Sequence, residues 1–227
     1  MTQLFDIKQP VVPVANSDSV FPVHRIYCVA RNYEAHAKEM GLQEREPPFF
    51  FCKPADAIVT GGEQIPYPGC TENLHHEVEL VVALKQGGSD IAAAAAKDCI
   101  YGYAVGLDLT RRDLQALSKD KGRPWDTAKA FDKSAPISAI HPMEATGEIS
   151  SGSISLNANG ELRQQGDIQD MIWSVSEVIA ELSRYFELQA GDLIFTGTPS
   201  GVGPLVSGDV VEATVEGVDT LHLTIGD

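Results

Sequence analysis

The chain has 227 residues, 43% of them apolar and 22% charged, with a formal charge of −15. That is ordinary globular usage, with length enough for one sizeable core, and it excludes nucleic acid and anionic membrane surfaces as natural partners. An anionic substrate would need local positive charge from a metal or from a placed Lys or Arg.

Residues 1–20 carry Pro10 and Pro13 among small polar residues and read as an extended N-terminal arm, leaving 21–227 as the main domain. MTQLFDIKQPVVPV lacks the basic-then-apolar order of a secretory leader, and no apolar run approaches the ~18 residues that span a bilayer. HRIYCVA reads as a strand, and RNYEAHAKEMG as a short helix ending at Gly41. Pro47 and Pro48 bar a helix before FFFCKP, where a strand is expected. HHEVELVVAL, ending at Gln86-Gly87-Gly88, reads as a strand. SDIAAAAAKDCI is predicted as a helix, YGYAVGLDLT as a strand and RRDLQALSKDKG as a short helix or loop. Asn159-Gly160 marks a hairpin between two strand-like runs. The spacing of Ile168, Met171, Ile172, Val175, Val178, Ile179, Leu182 and Phe186 predicts a helix over 167–187. The tail alternates short strands with Gly turns, so the fold class is α+β and β-rich. Cys28, Cys52, Cys70 and Cys99 form no C-x-x-C pair, and reduced thiols in the cytoplasm are expected.

The chemistry concentrates in HHEVEL. Side chains alternate along a strand, so Glu77 and Glu79 share one face with Val81, and Val78, Leu80 and Val82 share the other. An E-x-E on a strand is ordinarily a solvent-facing edge. Two carboxylates on a half-buried face instead require a cation between them. Asp108, ending the apolar stretch GYAVGLD, supplies a third acid. Three carboxylates without a His–Cys cluster suit a hard cation, Mg²⁺ first, then Mn²⁺ or Ca²⁺. His75 and His76 adjoin the E-x-E but read as loop or surface histidines, and His76 falls on the face opposite Glu77. TGTPSGVG lacks the G-x-x-x-x-G-K-[ST] pattern of a nucleotide loop. His36 and Glu39, three residues apart on a helix, read from spacing alone as a solvated face.

HHEVEL, GYAVGLDLTRRDLQ, AKAFDKSAPIS and GDLIFTGTPSGVG, in this order, resemble the fumarylacetoacetate hydrolase family. CVARNYEAHAKEMG and FFFCKP extend the likeness to its shorter branch, from about residue 21 to the C-terminus. The resemblance implies a mixed β-sandwich roll, a homodimer, and Glu77, Glu79 and Asp108 as metal ligands. It further implies that Lys129 contacts substrate near the metal and that Gln115 and Thr198 bind substrate polar groups. It makes His36 and Glu39 a catalytic pair on a lid, and it places Arg31 of the R-N-Y motif among the substrate contacts.

The implied reaction is divalent-metal-dependent hydrolysis of the C–C bond of a 3-acylpyruvate, a small anionic 2-oxo acid, with fumarylpyruvate of gentisate degradation the first candidate. A divalent cation chelated by the substrate's carboxylate and 2-oxo oxygens eases formation of the pyruvate enolate, and histidine suits activation of the water. Decarboxylation of oxaloacetate, or an isomerisation within the same family, uses the same ligands without an attacking water. A catalytically silent metal-binding scaffold is the alternative of another class, and the complete set of six acidic and basic residues speaks against it.

Overall fold

Val78–Leu84 is buried along its whole length because both faces of its sheet are covered. Leu80, Val82 and Leu84 join one apolar cluster while Val81 and Ala83 join another. The computed structural model describes residues 4–33, 46–62 and 64–227. Its main strands are β1 (Ile26–Ala30), β2 (Phe49–Lys53), β3 (Ile58–Thr60), β4 (Val78–Leu84), β5 (Ile100–Leu107) and β6 (Ala135–Ile137). They continue with β7 (Ser153–Ala158), β8 (Glu161–Asp167), β9 (Leu193–Phe195), β10 (Val210–Val215) and β11 (Leu221–Gly226). The helices that bear on the site and core are α1 (Arg112–Asp120), α2 (Asp126–Lys129) and α3 (Val175–Leu182).

The large sheet runs β2–β1–β9–β4–β5–β6–β3, with His141–Pro142 added beside β5. It is mixed: β9 pairs parallel with β1 and β6 parallel with β3, the other pairs being antiparallel. The second sheet runs β8–β7–β10–β11 and ends on Gln64–Pro66. Inward residues of both sheets, such as Leu80 and Val105 on one and Leu156 and Val211 on the other, form a shared core. This is the β-rich α+β roll expected from the sequence.

Within residues 1–20, Val11–Pro13 pairs antiparallel with Val20–Pro22, and Val12 and Phe21 pack on the outer face of the large sheet with Ile26 and Phe195. The Asn159-Gly160 turn forms as expected, both residues having positive φ (55° and 78°), as a two-residue hairpin requires.

Two helices differ from expectation. The apolar stripe over 167–187 is split into a 3₁₀ turn, Ile168–Asp170, and α3, which begins only after Ser174. Ser174 and Glu177 form a reciprocal capping box, and the cap sets the start of α3. The alanine run forms a 3₁₀ helix, Ala93–Cys99, with no side-chain cap at its start. HHEVELVVAL is likewise two strands, Leu74–His76 and β4, separated at Glu77. Among the described residues, no helix is long and apolar enough to cross a membrane.

Candidate metal centre and active site

The break at Glu77 builds the site. Leu74–His76 leaves the large sheet and pairs instead with Thr110–Arg111 and Gly203–Leu205. The Asp108 amide donates to the Glu77 carbonyl at 2.9 Å, which ties the end of β5 to the break. Glu79 projects from β4 on the face that carries Val81 and Ala83. Glu77, Glu79 and Asp108 therefore converge, with one ligand atom from each lying within 4.8 Å of the others, and all three are buried.

Among the described residues, three cations contact these carboxylates. Lys129, at the end of α2, donates from Nζ to Glu77 Oε2 (2.8 Å), Asp108 Oδ2 (2.6 Å) and Thr110 Oγ1 (2.6 Å). Lys53, at the end of β2, places its buried ammonium 2.8 Å from Asp108 Oδ1 and donates to the carbonyls of Leu109 (3.1 Å) and Lys129. Arg112, at the start of α1, is paired with Glu77 and donates to Gln115 Oε1 at 2.6 Å.

Burial would raise the Glu77 carboxyl, but Lys129 and Arg112, by charge and by hydrogen bonding, hold it below the usual carboxylate range. Burial likewise opposes charge on Lys129, and Asp108 and Glu77 outweigh it, raising its pKa. Glu79 is the exception. Among the described residues it accepts one hydrogen bond, from Gly197 N at 2.8 Å, and burial together with the charges of Asp108 and Glu77 pushes its pKa well above the ordinary value. Gly197 is at φ 102°, and a Cβ there would lie 2.7 Å from Asn32 Cβ, so the amide reaches Glu79 only with glycine at this position.

The donor set fits a divalent hard cation: carboxylate oxygens only, at one focus, with Glu79 lacking a cationic partner among the described residues. Among the described residues, Asp108 Oδ1 also accepts no directed hydrogen bond, despite the nearby Lys53 ammonium. Among the described residues the three carboxylates and the three cations beside them carry equal and opposite formal charge, so a divalent ion would add net positive charge, suited to an anionic substrate.

The neighbouring histidines are not part of the carboxylate focus, although His75 Nδ1 accepts a hydrogen bond from Arg112 Nε at 3.3 Å. His76 Nδ1 is bonded to Gln164 Oε1 at 2.7 Å on the second sheet, and burial lowers its pKa. His75 bonds to Asn73 Oδ1 at 2.9 Å, and burial with the charge of Arg112 brings its pKa down to about 4. Both are neutral near pH 7.

The cavity over the carboxylates is lined by Arg31, Gln115, Lys119, Trp125, Lys129 and Thr198, among others. Arg31, Gln115, Lys129 and Thr198 are thus brought to the same place as the carboxylates. Lys129 points at two of those carboxylates, and its Nζ hydrogen bonds go to them and to Thr110. Arg31 has φ 61°, a strained backbone for a non-glycine residue, on the cavity wall. His36 and Glu39 lie outside the described residues. Sequence reasoning missed Lys53, Arg112 and Lys119. The phase of β2 puts Lys53 on the same face as Phe49 and Phe51, and Arg112, Gln115 and Lys119 fall at i, i+3 and i+7 of α1, signals that were present in FFFCKP and RRDLQALSK.

A β-rich roll with a buried three-carboxylate site for a divalent cation defines the class of this protein. The chain belongs to the fumarylacetoacetate hydrolase family: the Fumarylacetoacetate (FAA) hydrolase C-terminal pattern matches residues 25–226. It is similar to fumarylpyruvate hydrolase of Ralstonia sp, 45% identical over 181 residues, covering 80% of this chain and 94% of that protein. It is also similar to the mitochondrial oxaloacetate tautomerase FAHD1 of Mus musculus, 44% identical over 200 residues, covering 88% of this chain and 90% of that one. The crystal structure of fumarylpyruvate hydrolase from Pseudomonas aeruginosa in complex with Mn²⁺ and pyruvate matches with TM-score 0.97, 48% identity and 99% coverage of each chain.

Proposed function

We propose that the protein hydrolyses the C–C bond of a 3-acylpyruvate, with fumarylpyruvate as substrate and Mg²⁺ or Mn²⁺ as the cation. The observation that carries this reading is the buried Glu77–Glu79–Asp108 focus opening into a cavity that also holds Arg31, Gln115, Lys119 and Thr198. When bound, a divalent cation polarises the 2-oxo group and offsets the negative charge that develops as the bond breaks. Arg31 and Lys119 supply positive charge for the substrate's carboxylates. Gln115 accepts from Arg112 through its carbonyl oxygen, which leaves its NH₂ group to donate to substrate. Lys53 holds Asp108 in place, and Lys129, which bonds Asp108 and also lines the cavity, offsets the negative charge that develops on the substrate.

In the reaction, the oxygen of water bonds to the acyl carbon and the C–C bond breaks. Its electron pair passes to the methylene carbon of the departing pyruvate, which then takes a proton. His36, oriented by Glu39, is proposed as the base that takes the proton of the water. The unpaired state of the four cysteines suits a reducing cytoplasm, and the working form is proposed to be a homodimer.

The similarity to an oxaloacetate tautomerase favours a second reading, interconversion of the keto and enol forms of oxaloacetate. That reaction moves a proton and needs no attacking water. The two are separated by supplying each substrate to protein with Mg²⁺, with Mn²⁺ or with chelator. Equimolar, metal-dependent release of pyruvate and fumarate supports the hydrolase. Oxaloacetate enol decay without pyruvate release from fumarylpyruvate would establish the second reading instead.

A further inference from the structure

β8 is exposed or half-buried along its length except at Gln164, which is 1% exposed. A polar residue at the one buried position of a strand must have its hydrogen bonds satisfied, and those of Gln164 are. Val78 N, which can only donate, lies 3.1 Å from Oε1. The Pro199 carbonyl, which can only accept, lies 2.9 Å from Nε2. These two partners fix which end of the amide is which.

Two consequences follow. His76 Nδ1, 2.7 Å from Oε1, must carry the ring proton, so His76 is held as one neutral tautomer facing away from the carboxylates. Thr198 Oγ1, 2.8 Å from Nε2, must accept, so its own proton points elsewhere. Thr198 lines the cavity over Glu77, Glu79 and Asp108, and its hydroxyl has no recorded acceptor among the described residues.

We propose that Gln164 is a positioning residue that fixes the Thr198 hydroxyl as a hydrogen-bond donor toward an anionic oxygen of the bound 2-oxo acid. The proposal rests on the reading of this cavity as a 2-oxo acid site but not on which reaction follows. Its chemistry is directional. A glutamine donates to Thr198 and turns the hydroxyl proton into the cavity. A glutamate of the same shape can only accept when ionised, and it would draw that proton away.

The test is oxalate binding to Mn²⁺-saturated protein by titration calorimetry, in wild type, Thr198→Val, Gln164→Glu, Gln164→Met and the corresponding double variants. Losing a hydrogen bond to a charged group should weaken oxalate about tenfold to a hundredfold in Thr198→Val. Gln164→Glu should match that loss, and Gln164→Met, which frees the hydroxyl to rotate, should lose only about threefold to tenfold. In the Thr198→Val background either Gln164 change should add less than about twofold, because the group it acts through is gone. Mn²⁺ affinity should stay within about threefold throughout. Should Gln164→Glu fail to fold, the Gln164→Met cycle carries the same criterion. Equal losses with and without Thr198, unchanged oxalate affinity in the Gln164 variants, or absence of oxalate binding to wild type would each overturn the proposal. If the cycle holds while fumarylpyruvate is not hydrolysed, the assigned reaction fails and the role of Gln164 stands.

Discussion

Glu79→Gln separates what the site does for binding from what it does for stability. Among the described residues, Glu79 is buried, accepts a single hydrogen bond from Gly197 N, and is the one carboxylate of the three without a cationic partner. Burial and the charges of Asp108 and Glu77 raise its pKa, so in metal-free protein it is either charged at a cost or protonated at a cost. Protonating a carboxyl of ordinary pKa ~4.3 at pH 7 costs about 1.4 kcal/mol per unit, which caps the penalty at about 4 kcal/mol. Glutamine removes that penalty but weakens the bond from Gly197, returning about 1 kcal/mol. The net expectation is a gain of about 1–3 kcal/mol in metal-free protein, or a Tm rise of about 3–9 °C for a chain of this size. With Mn²⁺ in excess the order should reverse: wild type gains stability by mass action and the variant does not. Thermal unfolding with chelator and with Mn²⁺ measures both. A lower Tm for Glu79→Gln in chelator, or equal stabilisation of both proteins by Mn²⁺, would refute the reasoning.

Lys129→Met removes a cation bonded to two of the carboxylates, so Mn²⁺ affinity should hold or rise while turnover falls by about 10² or more; calorimetry showing a tenfold loss of Mn²⁺ affinity would contradict this. Because the folded pKa of Glu79 lies above its unfolded value, metal-free stability should fall as pH rises from the ordinary carboxylate range toward that raised pKa. The contribution of Glu77, whose pKa is lowered, should disappear only as pH falls below that range. At pH below that raised pKa, Mn²⁺ binding should accordingly release a proton and tighten with pH, as titrations in buffers of different ionisation enthalpy would record. His36→Ala should cut acylpyruvate hydrolysis by about 10²–10⁴ and spare oxaloacetate turnover, whereas equal losses would mark His36 as holding substrate.

The carboxylate focus was legible because it rests on side-chain parity. Glu79 follows the alternation of β4, and Asp108 ends an apolar strand that pairs with it. Glu77 was legible as an acid but not as the residue at a strand break, because the partners of Leu74–His76 come from residues 110–111 and 203–205, remote in sequence. The helix over 167–187 was overextended because apolar periodicity runs through the 3₁₀ turn, although S-x-x-E at Ser174–Glu177 already marked the true start. A polar residue in a strand normally faces water, so Gln164 escaped because only the tertiary fold shows that it is buried and bonded, and Lys53 because its parity with Phe49 and Phe51 does not say which face is covered. Arg112 escaped because its neighbour Arg111 is chemically identical, and only the entry angle of α1 decides which of them meets Glu77.

Hydrolysis with fumarylpyruvate in ¹⁸O-enriched water, with Mg²⁺ present, tests the assigned chemistry at the bond that breaks. The fumarate formed should carry at least one ¹⁸O atom in its new carboxyl group by mass spectrometry, and its formation should cease in chelator and in Asp108→Asn. Absence of fumarate, or fumarate formed at the same rate without a divalent cation, would contradict the account.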